Sequence, residues 1–158
     1  MEEFTVGRPT SEYVTVRVLR REREEDQDYW DGDGNWLTCE VHIQAGAWRG
    51  GVTANLRAEE FVLFREALEA LQGPGHASFE PMEPWLELNL ERDGLGHVTV
   101  SGEAIDYLGW GNRVIFKLRD MDQTDLPALI RQLRQVETAF PVRGHPSEPP
   151  GADAPKLP

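Results

Sequence analysis

The sequence predicts an α+β fold, mostly antiparallel, with the order βββα met twice and both helices packed on sheet faces. Three observations carry this. Apolar and polar residues alternate at period two in a series of short stretches, the pattern of strands with one wet face. Two longer stretches, 58–73 and 124–136, instead place apolar residues at helical spacing. The two halves also echo each other. Each opens a strand with Trp-Leu (Trp36-Leu37, Trp85-Leu86), turns through glycine, continues in a Val-Thr strand (Val52-Thr53, Val98-Thr99) and ends in an amphipathic helix.

Residues 1–12 read as a loose N-terminal segment, 13–140 as a single α+β domain and 141–158 as a disordered Pro-rich tail. The first strand, 12–19, sets Val14, Val16 and Val18 against Thr15 and Arg17. Segment 20–35 then carries seven acids (Glu22, Glu24, Glu25, Asp26, Asp28, Asp31 and Asp33) and three arginines, too polar for a core, so an exposed loop or hairpin tip is expected. In 36–45, Leu37, Cys39, Val41 and Ile43 alternate with Thr38, Glu40, His42 and Gln44. A turn around Gly46–Gly51 leads into Val52, Ala54 and Leu56. The helix at 58–73 has a stripe of Phe61, Phe64, Leu68 and Leu71, with Glu59 and Glu60 at its positive end and Gly73 as its stop.

Segment 73–84 is a Pro/Gly-rich connection between the halves. Leu86, Leu88 and Leu90 begin the second set of strands, Asp93-Gly94 and Gly96 turn the chain, and Val98 and Val100 resume. Val114, Phe116 and Leu118 give the next apolar face. Thr124 stands where the second helix needs its N-cap, Pro127 falls in the first turn, and Leu126, Leu129, Ile130 and Leu133 form the stripe. The tail holds six of the eleven prolines and almost nothing apolar, too little burial to offset its ordering entropy.

The chain of 158 residues suffices for one core. It has no apolar run of the ~18–20 residues a membrane helix needs and no apolar leader, and its one cysteine forms no internal disulfide, which together favour a cytoplasmic protein with no membrane contact. The net charge of −12 disfavours direct nucleic-acid binding, where affinity comes from neutralising phosphates. It suits solubility, and equally a basic protein partner.

No constellation for covalent chemistry stands out. Asp31, Asp33 and Asn35 have the opening spacing of a calcium loop, but Trp36 and His42 occupy the places that need glycine and glutamate, so turn chemistry explains them. His42, His76, His97 and His145 form no paired motif that would hold zinc. Cys39 shares a face with Leu37 and Val41 and reads as core. Asp120, Asp122 and Asp125 read as charges at a helix start. No cofactor, metal site or catalytic residue is therefore expected. Among the aromatics Trp30, Trp36, Trp48, Tyr107 and Trp110, the last two sit in a bend between strands beside Glu103 and Asp106. Exposed, they suit a protein-binding hot spot; packed, they plug the end of a sheet.

Trp36-Leu37, Trp85–Leu88, Gly96-His97-Val98 and the run 112–136, above all Phe116, Asp122-Gln123-Thr124 and Leu126, resemble the WapI-type immunity protein family over about residues 36–137. The acidic loop 22–33 and the tail have no evident counterpart in that pattern. The resemblance implies a non-enzymatic cytosolic protein that neutralises a toxin domain, often a nuclease, encoded beside it. The resulting expectation is an acidic face covering a basic toxin, with Asp26, Asp28, Asp31, Asp33, Tyr107 and Trp110 as contacts. The competing expectations are a small-ligand binder or enzyme using a pocket under the Tyr107–Trp110 bend, and a subunit of a homo-oligomer.

Overall fold

The computed structural model describes residues 2–25 and 33–144. Two four-stranded antiparallel meanders are each followed by a helix. The first comprises β1 (Glu2–Gly7), β2 (Tyr13–Arg21), β3 (Trp36–Ala45) and β4 (Trp48–Arg57), then α1 (Ala58–Ala70). The second comprises β5 (Gly75–Phe79), β6 (Leu86–Arg92), β7 (His97–Ile105) and β8 (Arg113–Asp122), then a short 3-10 turn (Gln123–Asp125) and α2 (Leu126–Ala139). The sheets run in the orders β1-β2-β3-β4 and β5-β6-β7-β8.

The α+β class and the repeated order are therefore present, with four strands per half instead of three. The extra strands are β1 and β5. Residues 2–7 are not a loose lead-in, because Phe4 and Val6 alternate into the core and the strand pairs with β2 from Glu2↔Val18 to Gly7↔Tyr13. The Pro/Gly-rich connection likewise contains β5, which turns Ala77 and Phe79 inward. Gly50 and Gly51 belong to β4, opposite Ile43 and His42, so the turn before it is only the Gly46–Ala47 step. The 3-10 turn that leads into the second helix is capped by Asp122, whose carboxylate accepts from Thr124 N at 2.7 Å; Thr124 is not a cap.

One hydrophobic cluster spans both halves. Its centre is a group of four buried rings with centroids 5.4–6.2 Å apart: Phe4 of β1, Phe79 of β5, and Phe61 and Phe64 of α1. The helices pack crosswise. α2 lies along β1 of the first sheet, α1 lies along β5 of the second, and the helices touch each other. Gln132 of α2 accepts from Thr5 N at 2.9 Å, so the helix supplies a partner for the backbone of an edge strand. Between the helices, Arg65 of α1 holds Glu137 of α2 through two bonds of 2.6 and 2.9 Å.

Each helix start also reaches into the opposite half. Glu60 accepts from Arg57 N and, across the molecule, from Met82 N in the β5–β6 connection, both at 2.8 Å. Asp125 accepts from Asp122 N at 2.9 Å and from Arg8 in the β1–β2 turn at 3.1 Å. The two carboxylates occupy matching places in the repeat. Successive positions of β8 in turn meet the strand ends of the first sheet. Arg113–Lys117 lie by Ala45, Gly46 and Trp48, Arg119 N reaches Glu12, and Met121 Sδ accepts from Gly7 N. β8 therefore crosses the end of the first sheet.

Candidate functional site

The β7–β8 bend is built to hold a fixed shape. Asp106 N donates to Asn112 O at 3.1 Å, and Gly111 N donates to Tyr107 O at 3.0 Å. The Asp106 carboxylate accepts from Asn112 Nδ2 at 2.8 Å and Asn112 N at 2.6 Å. Those bonds from Asn112 hold the Asp106 carboxyl below the usual range. Gly109 has φ +88°, where side chains are rarely tolerated, and a Cβ on Gly111 would stand 2.4 Å from Asp106 Oδ1. The frame presents Tyr107 and Trp110 side by side, with centroids 4.6 Å apart and planes at 48°. Both rings face solvent, at 54% and 80% exposure. They do not plug the sheet.

Beneath the bend lies a cleft of about 270 Å³ between β4 and the ends of β7 and β8. Its walls are Val41, Ile43, Val52, Ala104, Ile105 and Val114; Trp48, Arg49, Asn112 and Arg113 stand at its mouth. The cleft reaches the stem of the bend through Asp106 and Asn112, neither ring lines it, and its volume falls just short of the lower bound of ligand sites, ~300 Å³. From the cleft a groove continues along β8, past Ala45 and Gly46 on one side and Val114–Lys117 on the other. Trp48 (74% exposed) and Ile115 (76%) stand beside it. Apolar groups this exposed, gathered at one end, mark a surface that gains by being covered.

The acidic segment is described only at its flanks. Asp26, Asp28 and Asp31 fall outside the described residues, and Asp33 opens a 3-10 turn ending at Asn35. The described flanks of the segment are anchored firmly. Buried Asn35 accepts from Arg143 N at 2.8 Å and donates to Arg143 O at 2.9 Å, pairing with the backbone as a strand would. Buried Arg21 donates to Pro141 O at 2.7 Å, and Arg143 donates to Glu24 O at 2.6 Å. Residues 141–143 are thus strapped across the base of the segment; the rest of the proposed tail, from 145, lies outside the described residues. These flanks sit at the Trp36 end of β3, whereas Trp48 and the cleft sit at its Ala45 end. Trp36 and Ala45, the two ends of this ten-residue strand, are about 30 Å apart, and the cleft reaches back along it to Val41. The described flanks of the acidic segment and Trp48 are therefore at opposite ends of β3.

The remaining candidates have structural roles. Cys39 is fully buried, and burial pushes its thiol up. Asp122 and Asp125 cap and tether the second helix, as described above. Trp36 is half-buried, with the Arg57 guanidinium 5.2 Å above its ring. Among the described residues no three His, Cys, Asp or Glu side chains gather as metal ligands, and no helix is long and apolar enough to cross a membrane.

Sequence reasoning missed Arg49, Arg113, Ile115, Lys117 and Arg119 around the cleft and groove. A signal was available. The outward positions of β8 read Arg113, Ile115, Lys117 and Arg119, an apolar residue among cations on a face that owes nothing to the core.

The fold is that of an α+β protein of two ββββα halves, with an exposed aromatic pair on the β7–β8 bend. By sequence, the chain belongs to the immunity protein WapI-like family, whose model matches residues 5–141. The match takes in the first half and the acidic segment as well as the region where the resemblance was legible, and it stops at Pro141. No curated protein and no solved structure matches the chain significantly.

Proposed function

We propose that this chain neutralises a toxin domain by binding it, without chemistry of its own, and that the aromatic end is the main contact. The observation that carries this is the rigid, exposed Tyr107–Trp110 pair beside an apolar cleft, in a chain of an immunity protein family. A bend already fixed by Asp106 and Asn112 loses little freedom on binding, so covering the rings yields most of its burial energy as affinity. The acidic residues Asp26, Asp28, Asp31 and Asp33, with the net charge of −12, fit a basic toxin such as a nuclease built to hold phosphates. Charges of this kind act on approach more than on the final contact.

The test is co-expression with the toxin domain encoded beside this chain, followed by purification of the complex. Survival of the host and a complex of both chains are expected; a toxin that stays active under excess of this chain overturns the reading. Tyr107→Ala with Trp110→Ala should speed dissociation. Reversing charge at Asp26, Asp28, Asp31 and Asp33 should slow association and flatten its salt dependence.

The apolar lining of the cleft favours a second reading, a small apolar ligand held at the stem of the bend. Thermal unfolding across a metabolite panel checks it. A specific rise supports it, and flat curves throughout reject it.

A further inference from the structure

We infer that the groove along β8 receives an extended acidic segment of the toxin, added as a strand to the free edge of Arg113–Lys117, with one apolar side chain seated in the cleft beside Trp48. The inference rests on the toxin-binding reading and names the element of the partner that the site takes.

Four sheet edges exist in this fold: β1, β4, β5 and β8. Helices lie along two of them, α2 along β1 and α1 along β5. β8 has a strand neighbour on one side only, so about half of its backbone groups are not used by the sheet. Its later part is occupied: Glu12 accepts from Arg119 N at 3.2 Å, and Gly7 N meets Met121 Sδ at 3.2 Å. Its earlier part is open. The groove there is lined by the consecutive residues Arg113, Val114, Ile115, Phe116 and Lys117. Successive strand residues point to opposite faces, so a groove that touches all of them runs along the edge of the strand rather than over one face. It joins the cleft through Ala45, Trp48, Arg113 and Val114, which line both.

Charge selects the occupant. In a chain of net charge −12, the outward positions of β8 carry Arg113, Lys117 and Arg119, all exposed. Arg113 pairs with Glu103 at 2.9 Å, while the side chains of Lys117 and Arg119 make no ion pair among the described residues. A second copy of β8 would set these cations against each other across an antiparallel pair, which is unfavourable. A strand with carboxylates at alternate positions would match them, and its intervening apolar residues would then face the cleft side. Lysine on an edge strand also guards against aggregation. Guarding alone leaves unexplained an apolar cleft continuous with that edge and the exposed Trp48 and Ile115 at its sides.

The experiment uses the full chain with the toxin domain encoded beside it, and separately with a blocked synthetic peptide of alternating Glu and Val. Amide hydrogen exchange is followed residue by residue. Slowed exchange at 113–117 is expected in both, with a weakening of about tenfold or more for the Lys117→Glu, Arg119→Glu double variant. Both positions are exposed, and an unchanged melting temperature verifies that the variant is folded. A toxin complex that leaves exchange at 113–117 unchanged and tolerates the double variant overturns the strand, while the toxin reading stands. Absence of any toxin complex overturns the toxin reading instead. In that case the peptide decides the strand: exchange slowed by Glu–Val but not by a Lys–Val peptide supports it, and no slowing by either rejects it.

Discussion

The two halves of the molecule close onto each other through matching carboxylates set in different surroundings. At the start of α1, Glu60 is buried and spends both oxygens on backbone N–H groups, one in its own half and one at Met82 in the other. At the start of α2, Asp125 does the same work nearer solvent, holding Asp122 N and Arg8, with the Asp122 carboxylate also reaching Arg8 at 3.3 Å. A buried carboxylate that bonds neutral donors has lost its hydration and has Arg57 only as a neighbouring charge, whereas the half-exposed cluster keeps water and bonds a cation directly. The same topological task is thus done once by buried hydrogen bonds and once by screened charge. Mutations and pH should act on the two latches unequally.

Beneath both latches lies the shared ring cluster, where the largest effect is expected. Phe4→Ala or Phe79→Ala each removes a fully buried ring, at a cost of about 3–5 kcal/mol in chemical denaturation. Their rings are 5.9 Å apart, so the double variant should cost less or more than the sum by about 0.5–3 kcal/mol. Because the rings come from opposite halves, either change should lower one common transition. Two separate transitions would show that the halves fold independently.

The next effect separates the latches. Glu60→Gln keeps the shape but turns an amide N–H toward a backbone N–H, so one of two donors, the buried Arg57 N or the part-buried Met82 N, loses its acceptor, at about 1–3 kcal/mol. Asp125→Asn makes the same chemical change where water can compensate, and its midpoint should move less. Equal losses would mean that burial does not distinguish them.

The pH dependence sharpens the contrast, because the signs are opposite. Burial raises the Glu60 carboxyl above its ordinary value. The unfolded chain then releases that proton first, so Glu60 supports stability below the unfolded value and ceases to as pH rises through the folded one. Asp122 is held below its ordinary value, first by the Thr124 hydroxyl and backbone, then by Arg8. Its contribution is present above the unfolded value and lost as pH falls through the folded one. Denaturation midpoints measured upward from about pH 3 should therefore show an acid limb that Asp122→Asn flattens, and a decline above the usual carboxylate range, ~4.3, that Glu60→Gln removes.

How much of this was legible in the sequence follows from where each signal resides. Long alternating runs such as 36–45 and 86–91, and the stripes of both helices, identify their elements because many residues repeat one message. β1 and β5 each offer only two inward residues, Phe4 with Val6 and Ala77 with Phe79, and sit next to acidic or Pro/Gly residues that argue for a loop. Their burial comes from the opposite half, which no local pattern encodes. The site divides in the same way. The Tyr107–Trp110 bend is readable from its glycines and aromatics, while the cleft beneath it is assembled from β3, β4, β7 and β8 and becomes visible only once the sheets meet.

The smallest expected change in stability is at that bend, and its smallness is informative. Tyr107→Ala with Trp110→Ala removes two large rings that touch each other but lie outside the core, so the denaturation midpoint should shift by no more than about 0.5 kcal/mol. Asp106→Ala is the companion change. It leaves the rings in place but removes both acceptors that close the loop on Asn112. If the pair acts through preorganisation, Asp106→Ala should weaken toxin binding measurably, since ordering a loosened loop then falls to the binding step. If the rings act only by their area, Asp106→Ala should bind as the parent does while the ring deletions do not. Calorimetry on the three variants separates these outcomes, because loosening appears as a less favourable entropy and ring deletion as a smaller negative heat-capacity change.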